Sequence, residues 1–180
     1  EPPSPVSPPL FVMRVVRGRS LASVLAAGPS ASERNALLRH LLAATEAIAF
    51  AHDRGYVHRD LKASNIMIGA FGETQVIDWG LALPPAGTQL AASGLDDASL
   101  AGDGPRVAGT PRSMSPEQAR GEAVGPPSDV WSLGTILWEL LAGRSAFPQG
   151  TRDAVLEQVK AGRVPSLAAV APETPAELVA

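Results

Sequence analysis

The chain has 180 residues, of which 45% are hydrophobic and 18% charged, enough for one domain with a substantial core. Its net charge of −3 argues against a broad nucleic-acid-binding face, so we expect no nucleic-acid partner. The absence of cysteine excludes disulfides, thiolate metal sites and a cysteine nucleophile.

No apolar run reaches the length of a membrane span. The first residues have neither the basic region nor the apolar core of a signal peptide. We therefore expect no membrane span in this chain and a cytoplasmic location. A membrane anchor in other segments of a longer parent protein stays open.

The first part of the chain predicts a linker, a strand and a short helix. Residues 1–9 carry five prolines, a composition typical of an extended Pro-rich linker. Residues 10–13 form a short apolar run rich in strand formers. Residues 20–25 predict a short helix, for which Ser20 is a suitable N-cap.

A long helix is predicted from Ser30 to about Arg54. Ser30 followed by Glu33 three residues later is the signature of a capping box, and Gly55 suits the left-handed residue that ends a helix. We interpret His52, near the helix end, as a structural histidine. The side chains that recur at helical spacing are Leu37, Leu38, Leu41, Leu42, Thr45, Ile48 and His52.

Two short apolar runs, Ile66–Ile68 and residues 75–77, flank a turn over residues 69–73 and predict a β-hairpin. Asn65 precedes the first strand and Asp78 follows the second. A hairpin therefore brings the two oxygen-bearing side chains together. Oxygen ligands are what magnesium requires, so this arrangement predicts a magnesium site formed by Asn65 and Asp78.

The second half of the chain is dominated by one apolar helix. Ser128 or Asp129 is predicted to start it, it runs to about Ala142, and Gly143 ends it. Because it is apolar on nearly every face, it should be buried. The other predicted elements are a mobile segment over residues 83–106, a short helix over residues 116–119, a surface helix over residues 151–161 and the start of a helix over residues 172–180.

The octapeptide H-R-D-L-K-A-S-N spans residues 58–65 and carries the clearest chemistry. Asp60 can accept the proton of an attacking hydroxyl, and Lys62 can place a positive charge beside a phosphoryl group in transit. Asn65 offers a neutral oxygen to a magnesium ion. Phosphoryl transfer requires mainly positioning and charge stabilisation, which these residue types supply. Taken singly, Asp60 would more simply cap the next element, but the whole pattern favours catalysis.

Three more motifs follow in order: D-W-G at residues 78–80, S-P-E at 115–117 and D-V-W-S-L-G at 129–134. With the octapeptide, they resemble the protein kinase family. More narrowly, the chain is similar to the eukaryotic-like serine/threonine kinases of bacteria. The stretches G-A-F-G-E at residues 69–73 and S-P-E-Q-A-R-G at residues 115–121, with the D-W-G spelling, carry this narrower resemblance.

The resemblance implies an α+β, protein-kinase-like fold with a mostly helical large lobe and a short β-hairpin. Residues 10–180 would form a partial kinase domain comprising the hinge and most of the large lobe. No G-x-G-x-x-G occurs in the sequence, and residues 1–13 are too few to contain the small lobe, so that lobe is expected to be absent. By itself, the chain is then expected to be inactive.

ATP and Mg²⁺ are the cofactors that the resemblance implies. Met13 would be the gatekeeper behind the adenine, and residues 14–17, with Val16, would form the hinge. Ser20 lies where the family often contacts the ribose, and Met67 would form the floor under the adenine. Ordinary core packing for Met13 and a plain N-cap role for Ser20 remain alternative interpretations.

Four further residues have structural roles by resemblance. Trp79 of D-W-G would stack toward His58 inside the lobe. Glu117 belongs to the S-P-E motif, whose arginine partner is not found in the sequence. Asp129 would hold from below the backbone of residues 58–65, which by resemblance form the catalytic loop, with a simple N-cap as the alternative.

Regulation is expected at Arg59, since an arginine at this place in the family commonly pairs with a phosphorylated activation segment. By resemblance, this segment is the mobile stretch over residues 83–106. A phosphate can order such a loop through charge-assisted hydrogen bonds. Ser99 is the first choice of phosphorylated residue, because Thr110 should be engaged at the active site. Thr88 and Ser93 are other acceptors in the segment, and Asp96, Asp97 or Asp103 are candidates to replace a phosphate altogether.

The sequence therefore predicts a protein serine/threonine kinase that transfers the γ-phosphoryl group of ATP to serine or threonine of protein substrates. Lys62 favours these acceptors over tyrosine. A non-catalytic, kinase-like docking or regulatory module is the alternative, and an unstable, inactive piece is a third reading. The unbroken set of Asp60, Lys62, Asn65 and Asp78 argues for the enzyme, since a scaffold needs no base and no metal ligands.

Overall fold

The computed structural model describes residues 15–83, 110–147, 150–172 and 174. A three-stranded antiparallel sheet is formed by β1 (Arg19–Ser20), β2 (Ile66–Ile68) and β3 (Thr74–Val76), in that order. The helices are α1 (Leu21–Ala26), α2 (Ala31–Ala36), α3 (Leu38–Asp53), α4 (Pro116–Arg120), α5 (Pro126–Ala142), α6 (Arg152–Lys160) and α7 (Leu167–Val170), with a 3₁₀ turn at Ala63–Asn65. About half of the described residues are thus helical, and they are accompanied by one small sheet.

Helix α5 lies between two hydrophobic clusters and contributes side chains to both. Leu133, Ile136 and Leu140 pack with α1, α3 and the catalytic loop, while Trp138 and Leu141 pack with α4, α6 and α7. Each fully buried side chain of this kind contributes about 1.5–3 kcal/mol. The expectation of a buried α5 is confirmed for these side chains, but Val130 is 60% exposed, and Gly134 and the two prolines at the start of the helix are exposed too.

The hairpin is confirmed, and a third strand joins it. Met67 pairs with Gln75, and on the other side of β2 Ser20 pairs with Met67. The two-residue strand β1 was not predicted. Gly18 permits it, because a Cβ there would lie 2.4 Å from the carbonyl oxygen of Ile68 and its φ of +144° suits glycine.

The predicted helix over residues 30–54 is two helices that meet at Leu37. The N–H of Leu37 donates to the carbonyl of Arg34, which tightens the turn. The apolar periodicity continues through this break and so does not reveal it. The capping box of Ser30 and Glu33 is present, with the N–H of Ser30 2.8 Å from the Glu33 carboxylate.

Helix α5 begins at Pro126, two or three residues before the predicted start. Gly125 is its N-cap, and the two prolines occupy its first positions, where their missing N–H groups cost nothing. The N-cap alternative for Asp129 is therefore wrong, because Asp129 lies inside the first turn. Gly143 ends the helix with φ +67°, as expected.

Helix α6 and its N-cap, Thr151, lie within one residue of the predicted bounds. Helix α7 was not predicted, and most of residues 172–180, where a helix was expected, lie outside the described residues. Within the residues described above, no helix combines the length and apolar character needed to cross a membrane.

Candidate active site

The catalytic loop joins α3 to β2 and places three polar groups in mutual contact. The carboxylate of Asp60, which is 8% exposed, accepts from the Lys62 ammonium at 2.6 Å and from the backbone N–H of Thr110 at 3.0 Å. The Lys62 ammonium also donates to the Thr110 hydroxyl at 2.9 Å. A carboxylate held on both oxygens has its orientation fixed, which is what a proton acceptor requires.

The carboxylate of Asp129 supports this loop from α5. It is fully buried and accepts from the backbone N–H groups of His58 at 2.8 Å and Arg59 at 2.9 Å. The imidazole of His52 lies 2.7 Å from the same carboxylate. A buried charge persists only when it is paired and hydrogen-bonded, and here donors from two other parts of the chain satisfy it.

Arg59 has φ +69°, in the left-handed region that residues other than glycine rarely adopt. Its Nε donates to the backbone carbonyl of Leu81. The guanidinium is therefore already engaged by a backbone carbonyl among the described residues. Ser99, the expected phosphorylated residue, lies outside the described residues.

The hairpin brings Asn65 next to Asp78 through the backbone, since the N–H of Ile77 donates to the carbonyl of Asn65 at 2.9 Å. The amide nitrogen of Asn65 donates to the carbonyl of Asp60 at 2.9 Å, which leaves the amide oxygen to act as an acceptor. Asp78 is exposed, with φ +65°.

The amide oxygen of Asn65 and the carboxylate of Asp78 are ligands that suit magnesium. This ion binds through one or two carboxylates and completes its coordination shell with waters and phosphate oxygens. The described residues contain no group of three or more His, Cys, Asp or Glu side chains able to form a metal cage.

The ring of Trp79 lies against that of His58, with centroids 4.5 Å apart and planes inclined by 50°. His58 is fully buried and its Nε2 lies 3.1 Å from the carbonyl of Ile77. The predicted contact between Trp79 and His58 is therefore confirmed. The expectation that Trp79 is buried inside the lobe is wrong, because its side chain is 37% exposed.

The residues expected at the nucleotide are only partly brought together. Ser20 and Met67 face each other across β1 and β2, and both are half-buried, as is Val16. The Ser20 hydroxyl accepts from the N–H of Ser23 at 3.1 Å, so it caps α1. Met13 lies outside the described residues.

Glu117 of the S-P-E motif accepts from the hydroxyl of Ser128 at the start of α5. Burial acts to raise the pKa of Glu117, but the hydrogen bonds from Ser128, its own backbone N–H and Ser115, aided by Arg120, hold the pKa below its ordinary value. Its contact with Ser128 ties α4 to α5.

Sequence reasoning missed two residues near the loop. Gln118 is 6% exposed and donates to the carbonyl of Arg59 at 2.6 Å. Glu139 lines an open cavity of about 190 Å³ beside Lys62 and Thr110, and burial raises the pKa of its carboxyl. The available signal for Glu139 was an acidic residue within the apolar second half of α5. For Gln118 the sequence offers only the spacing of an ordinary capping box with Ser115, which does not indicate a contact with the loop.

The sequence matches the protein kinase domain family over residues 7–176. The chain belongs to the protein kinase family. Its narrower resemblance to bacterial serine/threonine kinases is confirmed by three relatives. The chain is 40% identical over 124 residues to serine/threonine-protein kinase PknD of Protochlamydia amoebophila, a match covering 66% of this chain and 13% of that protein.

The second kinase relative, probable serine/threonine-protein kinase PknB of Bifidobacterium longum, is 35% identical over 151 residues, 83% of this chain and 20% of that protein. The third, serine/threonine-protein kinase PknB of Mycobacterium tuberculosis, is 38% identical over 149 residues, 82% of this chain and 22% of that protein. The match thus spans at most about a fifth of the length of these kinases.

Proposed function

We propose that this chain carries the phosphoryl-transfer residues of a protein serine/threonine kinase, which moves the γ-phosphoryl group of ATP to serine or threonine of protein substrates. The observation that supports this most directly is the buried Asp60 carboxylate, fixed by Lys62 and by the backbone of Thr110. Membership of the kinase family supports the same reaction.

Asp60 accepts the proton of the attacking hydroxyl as the new oxygen–phosphorus bond forms and the bond to the leaving ADP breaks. Lys62, whose ammonium lies 2.6 Å from that carboxylate, is placed to stabilise negative charge on the transferred group. Thr110 holds both side chains in this arrangement through its N–H and its hydroxyl.

Asn65 and Asp78 would hold Mg²⁺, which neutralises the charge on the ATP phosphates when bound. The contribution of the chain is to fix the amide of Asn65 through its bond to the Asp60 carbonyl, so that its oxygen is available. On the adenosine side, we propose that Met13, Val16 and Met67 surround the adenine and that Ser20 lies near the ribose.

We propose that Arg59 also serves regulation by pairing with a phosphate at Ser99. Such a phosphate would have to displace, or add to, the contact between the Arg59 guanidinium and the Leu81 carbonyl. A phosphate would add charge–charge attraction to the guanidinium, which a neutral carbonyl does not supply, and this favours the exchange.

The test of the activity is transfer of labelled γ-phosphate by the complete gene product to a mixture of protein substrates, followed by phosphoamino-acid analysis. Label on serine and threonine that depends on Mg²⁺ supports the proposal. Absence of transfer favours the docking or regulatory module, and label confined to tyrosine overturns the acceptor assignment. Residues 1–180 alone should be inactive, because they contain no G-x-G-x-x-G loop.

A further inference from the structure

The side chain of Gln118 links α4 to the catalytic loop. It is 6% exposed, its amide oxygen accepts from the N–H of Ser115 at 3.0 Å, and its amide nitrogen donates to the carbonyl of Arg59 at 2.6 Å. The opposite orientation of the amide would set oxygen against oxygen and N–H against N–H. The two partners therefore fix which end faces the loop.

The bond from Gln118 reaches the peptide unit that precedes the proposed base. The carbonyl of this unit belongs to Arg59 and accepts from Gln118, while its N–H belongs to Asp60 and points to Nδ1 of His58 at 3.3 Å. Side chains thus hold both ends of one peptide plane. The rotation of this plane sets the direction in which the Asp60 side chain leaves the backbone.

This peptide plane needs support, because Arg59 is in the left-handed conformation, with φ +69°. For a residue other than glycine, such a conformation persists only where the surrounding contacts over-determine it. Asp129 holds the N–H of Arg59 at 2.9 Å, and Gln118 holds its carbonyl. The two contacts come from different helices, α5 and α4, and act on opposite sides of the strained residue.

We propose that Gln118 is a positioning residue for phosphoryl transfer, acting through the peptide unit between Arg59 and Asp60. This inference rests on the proposed function. Thr110 holds the Asp60 side chain, and Gln118, eight residues later, holds the backbone beside it. The segment 110–118 therefore fixes both the backbone and the carboxylate of the proposed base.

A role in capping α4 does not account for both ends of the Gln118 side chain. The capping box uses two groups of Gln118. Its side-chain amide oxygen accepts from the N–H of Ser115, and its backbone N–H donates to the Ser115 hydroxyl at 3.3 Å. Glutamate serves equally well at this position of a capping box. Only the amide nitrogen, which glutamate lacks, reaches Arg59.

Gln118→Glu separates the two roles, because it keeps the cap and the shape but replaces the donor with an acceptor. We expect kcat of the complete gene product to fall by about tenfold to a hundredfold, the scale of a misplaced catalytic group, with little change in KM for ATP. The loss should shrink as the pH is lowered, since a protonated carboxyl can again donate to the Arg59 carbonyl. A purely structural role would not produce this pH profile.

Ser115→Ala is the matched control. It removes the hydroxyl that accepts from the N–H of Gln118 and weakens the cap of α4, but leaves the bond to Arg59 in place. Its kcat should stay near that of the wild type. If Gln118→Glu proves less stable than this control, Gln118→Met, uncharged and of similar length, should show the same loss of kcat with KM for ATP retained.

Hydrogen exchange of the peptide covering residues 58–62 provides a readout that does not depend on activity. Exchange should be faster in Gln118→Glu than in the wild type or Ser115→Ala. An inactive wild type would refute the proposed function, while the exchange experiment would still test the link. An active wild type, with kcat and loop exchange unchanged in folded Gln118→Glu, overturns the inference.

Discussion

Replacing Asp129 with alanine should destabilise the protein severely. The substitution leaves the buried N–H of His58 without an acceptor and removes a charged partner from the half-buried N–H of Arg59. The His52 side chain is 16% exposed and can form a hydrogen bond with water instead, so the loss of its contact with Asp129 should cost less free energy. An unsatisfied buried donor costs about 1–3 kcal/mol and a bond to a charged group contributes about 1.5–3 kcal/mol. The free energy of unfolding should therefore fall by about 3–5 kcal/mol.

Denaturant unfolding of the wild type and Asp129→Ala measures this loss, and melting temperatures should differ by on the order of 10 °C. Asp53→Ala is the matched control, because the Asp53 side chain is 81% exposed and should change the unfolding free energy by less than about 0.5 kcal/mol. A loss below about 1 kcal/mol in Asp129→Ala would refute the view that Asp129 supports the catalytic loop.

Three further predictions concern stability and metal binding. In denaturant unfolding, Gly143→Ala should destabilise the protein more than Gly28→Ala. Both glycines have a positive φ, which costs about 1 kcal/mol when alanine takes the position. Of the two, Gly143 is the one where a new Cβ would also meet the Arg34 guanidinium, at 3.1 Å. Burial, aided by Arg39, lowers the pKa of His40, so the unfolded chain binds its proton more readily. The unfolding free energy should then fall as the pH drops below about 6.5. His40→Gln should reduce this dependence of the unfolding free energy on pH, and an unchanged slope in the variant would contradict the role given to His40. Asp78→Ala should abolish Mg²⁺-dependent ATP binding to the complete gene product in calorimetry, and unaltered binding would show that the proposed metal site is wrong.

Elements with local signals were predictable from the sequence. The strands of the hairpin, the bounds of α6 and the end of α5 at Gly143 lie at or within one residue of their predicted positions. Each depends on turn or cap residues that are neighbours in the chain. Strand β1 forms instead by pairing with Ile68, almost fifty residues away in the chain. A strand of two residues is too short to show a recognisable sequence pattern.

The same distinction applies to the site. Asp60, Lys62 and Asn65 lie within one octapeptide, so a local motif was enough to propose them as site residues. The contact of Gln118 with Arg59 joins residues 59 positions apart and arises only when α4 packs under the loop. Ser115 and Gln118 also have the spacing of an ordinary capping box, a local pattern that carries no signal for the contact with Arg59.

The most direct test of the central claim is to compare ATP affinity and turnover in the Asp60→Asn variant of the complete gene product. Asn keeps the shape and can still accept from the N–H of Thr110, but it cannot take the proton of the attacking hydroxyl. We predict that kcat falls by about a hundredfold or more while the Kd for Mg-ATP stays near that of the wild type. Near-normal turnover in this variant would contradict the assignment of Asp60 as the catalytic base.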